Sequence, residues 1–196
     1  MTLPAGGDQR VLVLRAQDGD VDAFEALVDH HQGRLFRIAY MVLHDRMDAE
    51  DVVQEALMLA WRRLHLLEEP GAFGSWVSQI ATRAATDVLR RQARRATDSA
   101  ETEELDAASA ERPVAGAAAG TGQGPERSAL VNAQMEALAL VLQTLDASLR
   151  TCWVLREIDG MSYREISTVV GATEPTVRGR IARARAHIID RMKEWR

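Results

Sequence analysis

A chain of 196 residues with 46% hydrophobic side chains can build one larger or two small cores, and its net charge of −5 gives it no overall basic character. Cys152 is the only cysteine, which excludes an internal disulfide and a cysteine-rich zinc site and suits a small core residue in a reducing cytoplasm. No stretch approaches the roughly twenty apolar residues of a membrane span, and no signal peptide precedes the first helix.

Aromatic residues are few and strand-type alternation is missing, whereas nearly every ordered stretch repeats with a helical period. Residues 1–8 read as a loose tail, and a short helix over Gln9–Gln17 stops at Asp18-Gly19. Asp20 then caps a long helix with an apolar stripe of Phe24, Leu27, Val28, Leu35, Ile38 and Val42. The next helix is expected to start near Asp48, with Glu50 and Asp51 in its first turn. Its expected core stripe is Val53, Ala56, Leu57, Ala60, Trp61 and Leu64, leaving Glu50, Asp51, Gln54 and Glu55 on the opposite face. Such a compact acidic surface suits a basic partner, or plain solvation. Pro70-Gly71 breaks the chain, and a fourth helix follows over Phe73–Arg95 with Trp76, Val77, Ile80, Ala84, Val88 and Leu89 inward. On it Arg83, Arg90 and Arg94 share a narrow arc flanked by Arg91 and Arg95, a stripe able to neutralise several phosphates.

Residues 97–128 lose apolar periodicity and hold seven acids against Arg112 and Arg127, a surplus equal to the net charge of the whole protein. The flanking parts are therefore neutral overall and carry local basic clusters, which decide affinity for nucleic acid. The second unit opens with a helix bearing Leu130, Met135, Leu138, Val141, Leu142 and Leu145, followed by one around Leu149–Ile158. Ser162-Tyr163-Arg164-Glu165 has the spacing of a capping box, Gly171 supplies a left-handed exit, and Thr173 caps the last helix with Pro175 in its first turn. There Val177, Ile181, Ala184 and Ile188 form the core face, while Thr176, Arg180, Arg183 and His187 occupy another arc with Arg178 and Arg185 to the side. A buried stripe beside a basic one is the arrangement of a helix-turn-helix recognition helix.

Two segments in this order, Asp48-Ala49-Glu50-Asp51-Val52-Val53-Gln54-Glu55-Ala56-Leu57 and Met161–Arg185, resemble the DNA-binding halves of a bacterial sigma factor, and the short length points to the extracytoplasmic-function class. The resemblance implies an all-α fold of two small helical domains joined by a flexible acidic linker, the second with a helix-turn-helix. Residues 9–95 would be region 2, 96–128 the linker and 129–196 region 4. It also implies an alternative-type sigma factor that binds core RNA polymerase through the β′ clamp and β subunits and directs promoter recognition, melting and initiation. By the same resemblance Glu50, Asp51, Gln54 and Glu55 face the clamp. Arg62, Arg63, Arg83, Arg90, Arg91 and Arg94 serve the minus-ten side, and Thr176, Arg178, Arg180 and Arg183 the minus-thirty-five side. The family captures an unstacked base near Trp61, although that tryptophan lies on the expected core stripe. The family's Leu-Pro pair is Leu145-Asp146 here, its Gly-Thr-Val-Lys-Ser-Arg is Pro175-Thr176-Val177-Arg178-Gly179-Arg180, and an arginine, Arg83, replaces its usual asparagine. An anti-sigma factor is a further candidate partner. No catalytic residue, metal ligand set or cofactor is expected: His30, His31, His44, His65 and His187 are scattered, and no nucleophile–base pair is legible.

Overall fold

The computed structural model describes residues 7–100 and 138–193. Helices α1 (Gly7–Gln17), α2 (Val21–Leu43) and α3 (Arg46–Arg63) lead through two single 3-10 turns to α4 (Phe73–Ala100). A helix α5 covers residues 138–143, before α6 (Ala147–Glu157), α7 (Tyr163–Val170) and α8 (Glu174–Lys193). No strand occurs among the described residues, and the fold is all-helical. The acidic stretch lies mostly outside the described residues, although α4 runs on to Ala100, beyond the stop expected at Arg95.

Caps set the boundaries. Asp20 accepts a hydrogen bond from the Ala23 amide and opens α2, as its position predicts. The third helix starts two residues earlier than expected, because Asp45 is its cap and accepts from the Asp48 amide at 2.9 Å. His44 makes this tight joint possible by taking a left-handed conformation (φ 56°) and donating its amide to the Tyr40 carbonyl.

In the first unit, α2, α3 and α4 pack together with α1 laid against α2, around Val13, Leu27, Leu35, Ile38, Val42, Phe73 and Val77. Two expected core faces need correction. On α3 the buried residues are Ala49, Val52, Val53, Ala56 and Ala60, and Trp61 is 37% exposed, its ring tilted against Phe24 at 4.8 Å between centroids. On α4 the buried face is Phe73, Val77, Ala81 and Ala85 with Ser78, Thr82 and Thr86. Trp76, Ile80, Ala84, Val88 and Leu89 are half-buried on its flank. Small residues at four-residue spacing let α4 lie close to its neighbours, and bulky ones cover the margins.

In the second unit Asp146, standing where a proline was expected by resemblance, accepts from the Ser148 amide and caps α6. Cys152 is fully buried, and burial pushes its thiol pKa up. The Ser162–Glu165 capping box closes with both reciprocal bonds, and they hold the Glu165 carboxyl below its usual range. Gly171 exits α7 at φ 65°, where a side chain would be strained.

The two units also touch. Helix α6 lies against α2, and α7 against α4. Arg150 Nε donates to the Val42 carbonyl at 3.1 Å, and Arg34 Nη2 donates to Asp159 Oδ1 at 2.8 Å.

Candidate nucleic-acid interface

The geometry of α8 follows from its periodicity. Val177, Ile181, Ala184 and Ile188 are buried against α6 and α7, which turns Thr176 and Arg183 fully outward. Arg180 sits on the same outward arc but nearest its buried edge, so it is half-buried. Its guanidinium lies near Asp146, whose carboxyl is held below its usual range first by the Ser148 hydrogen bonds and least by Arg180, and near Cys152, where burial outweighs its lowering effect on the thiol. Arg178, on the other flank, lies over the Tyr163 ring at 5.0 Å and 3.6 Å from Glu174. Arg156 lies over the same ring at 4.8 Å and donates to the Met161 carbonyl at 2.7 Å. Arg185 is bound to Glu157 at 2.6 Å, a structural tie across the unit. His187, placed by the pattern on the outward arc, is hydrogen-bonded with Thr144 at 2.8 Å. The outward surface that can meet a groove is thus narrower than the count of arginines suggests.

On α4, Arg83, Arg90, Arg91 and Arg94 are all exposed. Among the described residues, Arg91 and Arg94 bond only to carbonyls of their own helix, of Asp87 and Arg90. Arg90 pairs with Asp87 at 2.9 Å and also reaches the Val169 carbonyl of α7 at 3.4 Å. Arg62 and Arg63 end α3 beside the exposed Trp61, where they complement the helix C-terminus. The sequence pattern left Trp61 among packing residues, but it is 37% exposed on this surface.

The polar face of α3 is open as well. Glu50, Asp51, Gln54 and Glu55 are exposed, and Arg46 pairs with Glu50 at 2.8 Å. Periodicity missed two companions. Met47 (66% exposed) and Met58 (50% exposed) continue the line of Asp51 and Gln54 at four- and three-residue spacing, so apolar contact area flanks the acids. The signal was present in that spacing, but methionine reads as core in a pattern search. Among the described residues no group of three or more His, Cys, Asp or Glu is placed to hold a metal.

Comparison with known proteins agrees with this layout. Residues 27–95 match the sigma-70 region 2 family, and residues 135–188 the sigma-70 region 4 family. The RNA polymerase sigma-H factor of Pseudomonas aeruginosa is 37% identical over 177 residues, 90% of each chain. The ECF RNA polymerase sigma-E factor of Escherichia coli is 34% identical over 184 residues, 94% of each. The chain belongs to the extracytoplasmic-function sigma factors. This sigma factor therefore binds core RNA polymerase and promoter DNA and directs promoter recognition and transcription initiation. Its fold is shared with CnrH, solved in complex with the cytosolic domain of CnrY (TM-score 0.60, 24% identity, 95% of this chain and 98% of that one). It is shared too with the Bartonella quintana sigma factor RpoE, solved with the anti-sigma factor NepR (TM-score 0.59, 20% identity, 87% and 96%). No described helix of this sigma factor is long and apolar enough to cross a membrane.

Proposed function

We propose the following division of labour on this chain. Residues 9–95 act as region 2 and residues 129–196 as region 4, with 96–128 as the tether between them. Glu50, Asp51, Gln54 and Glu55, flanked by Met47 and Met58, dock on the β′ clamp of core polymerase; their shared exposure on one face of α3 supports this. Arg62, Arg63, Arg83, Arg90, Arg91 and Arg94 hold the minus-ten side, and Thr176, Arg178, Arg180 and Arg183 the minus-thirty-five side. The observation that carries the reading is α8, whose apolar stripe is fully buried while Thr176 and Arg183 stand exposed on the adjoining arc. The protein works in the cytoplasm, where its polymerase is, as a binding factor without an enzymatic reaction of its own. An anti-sigma factor is a partner of this chain also, on the strength of the fold it shares with a sigma factor solved in such a complex.

Run-off transcription with core polymerase on a promoter library tests the whole reading, since promoter-dependent transcripts should appear only when the chain is added. Asp51→Ala together with Gln54→Ala should weaken core polymerase capture in a pull-down while circular dichroism stays unchanged. Unchanged capture by the folded double variant would overturn the docking face.

A further inference from the structure

The methionines whose side chains are described fall into two classes. Met41 and Met161 are buried in the core at 3% and 6% exposure, whereas Met47 and Met58 are 66% and 50% exposed. Both exposed thioethers stand on α3. At about a hundred degrees of turn per residue, Met47, Asp51, Gln54 and Met58 fall within about sixty degrees of one another, so the two methionines bracket the polar docking face along its length. An exposed methionine adds little to the packing of its own fold, and its apolar surface gains only when a partner covers it.

A thioether at that exposure is open to two-electron oxidation. A hydroperoxide passes one oxygen to the sulfur lone pair, its O–O bond breaks, and the remaining oxygen leaves with the proton as an alcohol or, from hydrogen peroxide, as water. Sulfur is oxidised, the peroxide is reduced, and the product is a sulfoxide. Its S–O dipole turns an apolar side chain into a solvated acceptor. Covering that oxygen with a partner surface that supplies no donor weakens the contact. The thiol that would otherwise consume the oxidant is closed off: Cys152, the only cysteine of the chain, is fully buried, and burial keeps it protonated and unreactive.

We propose that Met47 and Met58 form an oxidation site on the polymerase-docking face, and that their conversion to sulfoxides by a hydroperoxide lowers this sigma factor's hold on core polymerase until a sulfoxide reductase restores the thioethers. The effect on docking rests on the reading of α3 given above, whereas the selectivity of oxidation does not.

To test it, the full chain is treated with hydrogen peroxide, the excess is destroyed with catalase before polymerase is added, and peptide mass mapping locates the added oxygens. Met47 and Met58 should oxidise ahead of Met41 and Met161. Capture by core polymerase should then fall about tenfold with circular dichroism unchanged. It should return after treatment with methionine sulfoxide reductases of both stereospecificities and a dithiol. A chain carrying Met47→Leu and Met58→Leu has no thioether on this face; whatever its starting affinity, peroxide should not change it. A loss of the same size in that variant, or oxidation of the buried methionines first, would overturn the assignment. Full capture by wild type carrying both sulfoxides would overturn the effect on docking. The untreated Asp51→Ala, Gln54→Ala double variant separates the two readings. If it loses capture while oxidised wild type keeps it, the docking face stands and the oxidation inference fails; if it keeps capture, the docking face itself fails.

Discussion

On α8 most basic side chains are held by the protein: Arg185 by Glu157, Arg178 over Tyr163, and Arg180 at the edge of the core near Asp146. On α4 Arg83 is exposed and Arg91 and Arg94 bond, among the described residues, to carbonyls of their own helix, while Arg90 alone is tied to Asp87 and the Val169 carbonyl. The two helices carry similar numbers of arginines but present them differently. A held guanidinium fixes its direction before DNA arrives, which suits reading a base edge. A free one follows the phosphate backbone wherever it runs, which suits a strand that is being melted. Tyr163 and Glu157, neither of them a nucleic-acid residue by type, make that difference.

The largest effect expected from breaking this contrast is at the core beneath α8. Ile181→Ala should cost the second unit about 2–5 kcal/mol of stability in urea denaturation. It should remove upstream promoter protection while leaving the contacts of α4 in place. Equal loss of both footprints would mean that the two surfaces are not separable.

Acidification attacks the other side of the comparison. His31 packs against Phe73 at the start of α4, and burial first, then His30 and Arg34, depress its pKa to about 4. His44, between α2 and α3, is depressed to about 4 by burial and then Arg150. Unfolded histidines take up protons near pH 6.5 while these stay neutral in the fold, so stability rises with pH across that window and is lost as pH falls from about 6.5 towards 4. Denaturation midpoints measured at pH 7 and pH 5 should show the loss, and His31→Gln should reduce it in the first unit. A pH-independent midpoint would refute the burial argument.

Arg180→Ala should weaken promoter binding through the upstream element by about 1–3 kcal/mol if the side chain, held near Asp146, reads a base edge. Arg183→Ala should cost less and act on all sequences alike, because that side chain is exposed and bonds to a carbonyl of its own helix; the reverse order in a competition assay would show that Arg183 is the base reader. Arg94→Ala should weaken binding to all sequences alike and lower the salt dependence by about one unit of slope, the mark of a phosphate contact. Arg185→Ala should leave promoter affinity unchanged, since that arginine is spent on Glu157; a measurable affinity loss would return it to the DNA surface.

Much of this was readable from local signals. The Ser162–Glu165 box, the Gly171 exit, the Asp20 cap and the Val177, Ile181, Ala184, Ile188 stripe each depend on residues within a turn or two of one another, where spacing alone decides geometry. Errors arose where a neighbour decided instead. The buried face of α4 turned towards its small residues because α2 and α3 crowd it, and Trp61 moved outward because the small Ala56 and Ala60 fill the seam.

Periodicity and capping are short-range and leave a direct mark on residue order, so the all-helical chain, the basic arc of its last helix and the acidic face of α3 are legible before folding. Which arginines are held by other elements, and that the two units meet, depends on packing. Asp159 finds Arg34 at 125 residues' separation and Ser78 at 81, and a pairing over such distances depends on how whole helices pack, which no window of sequence contains.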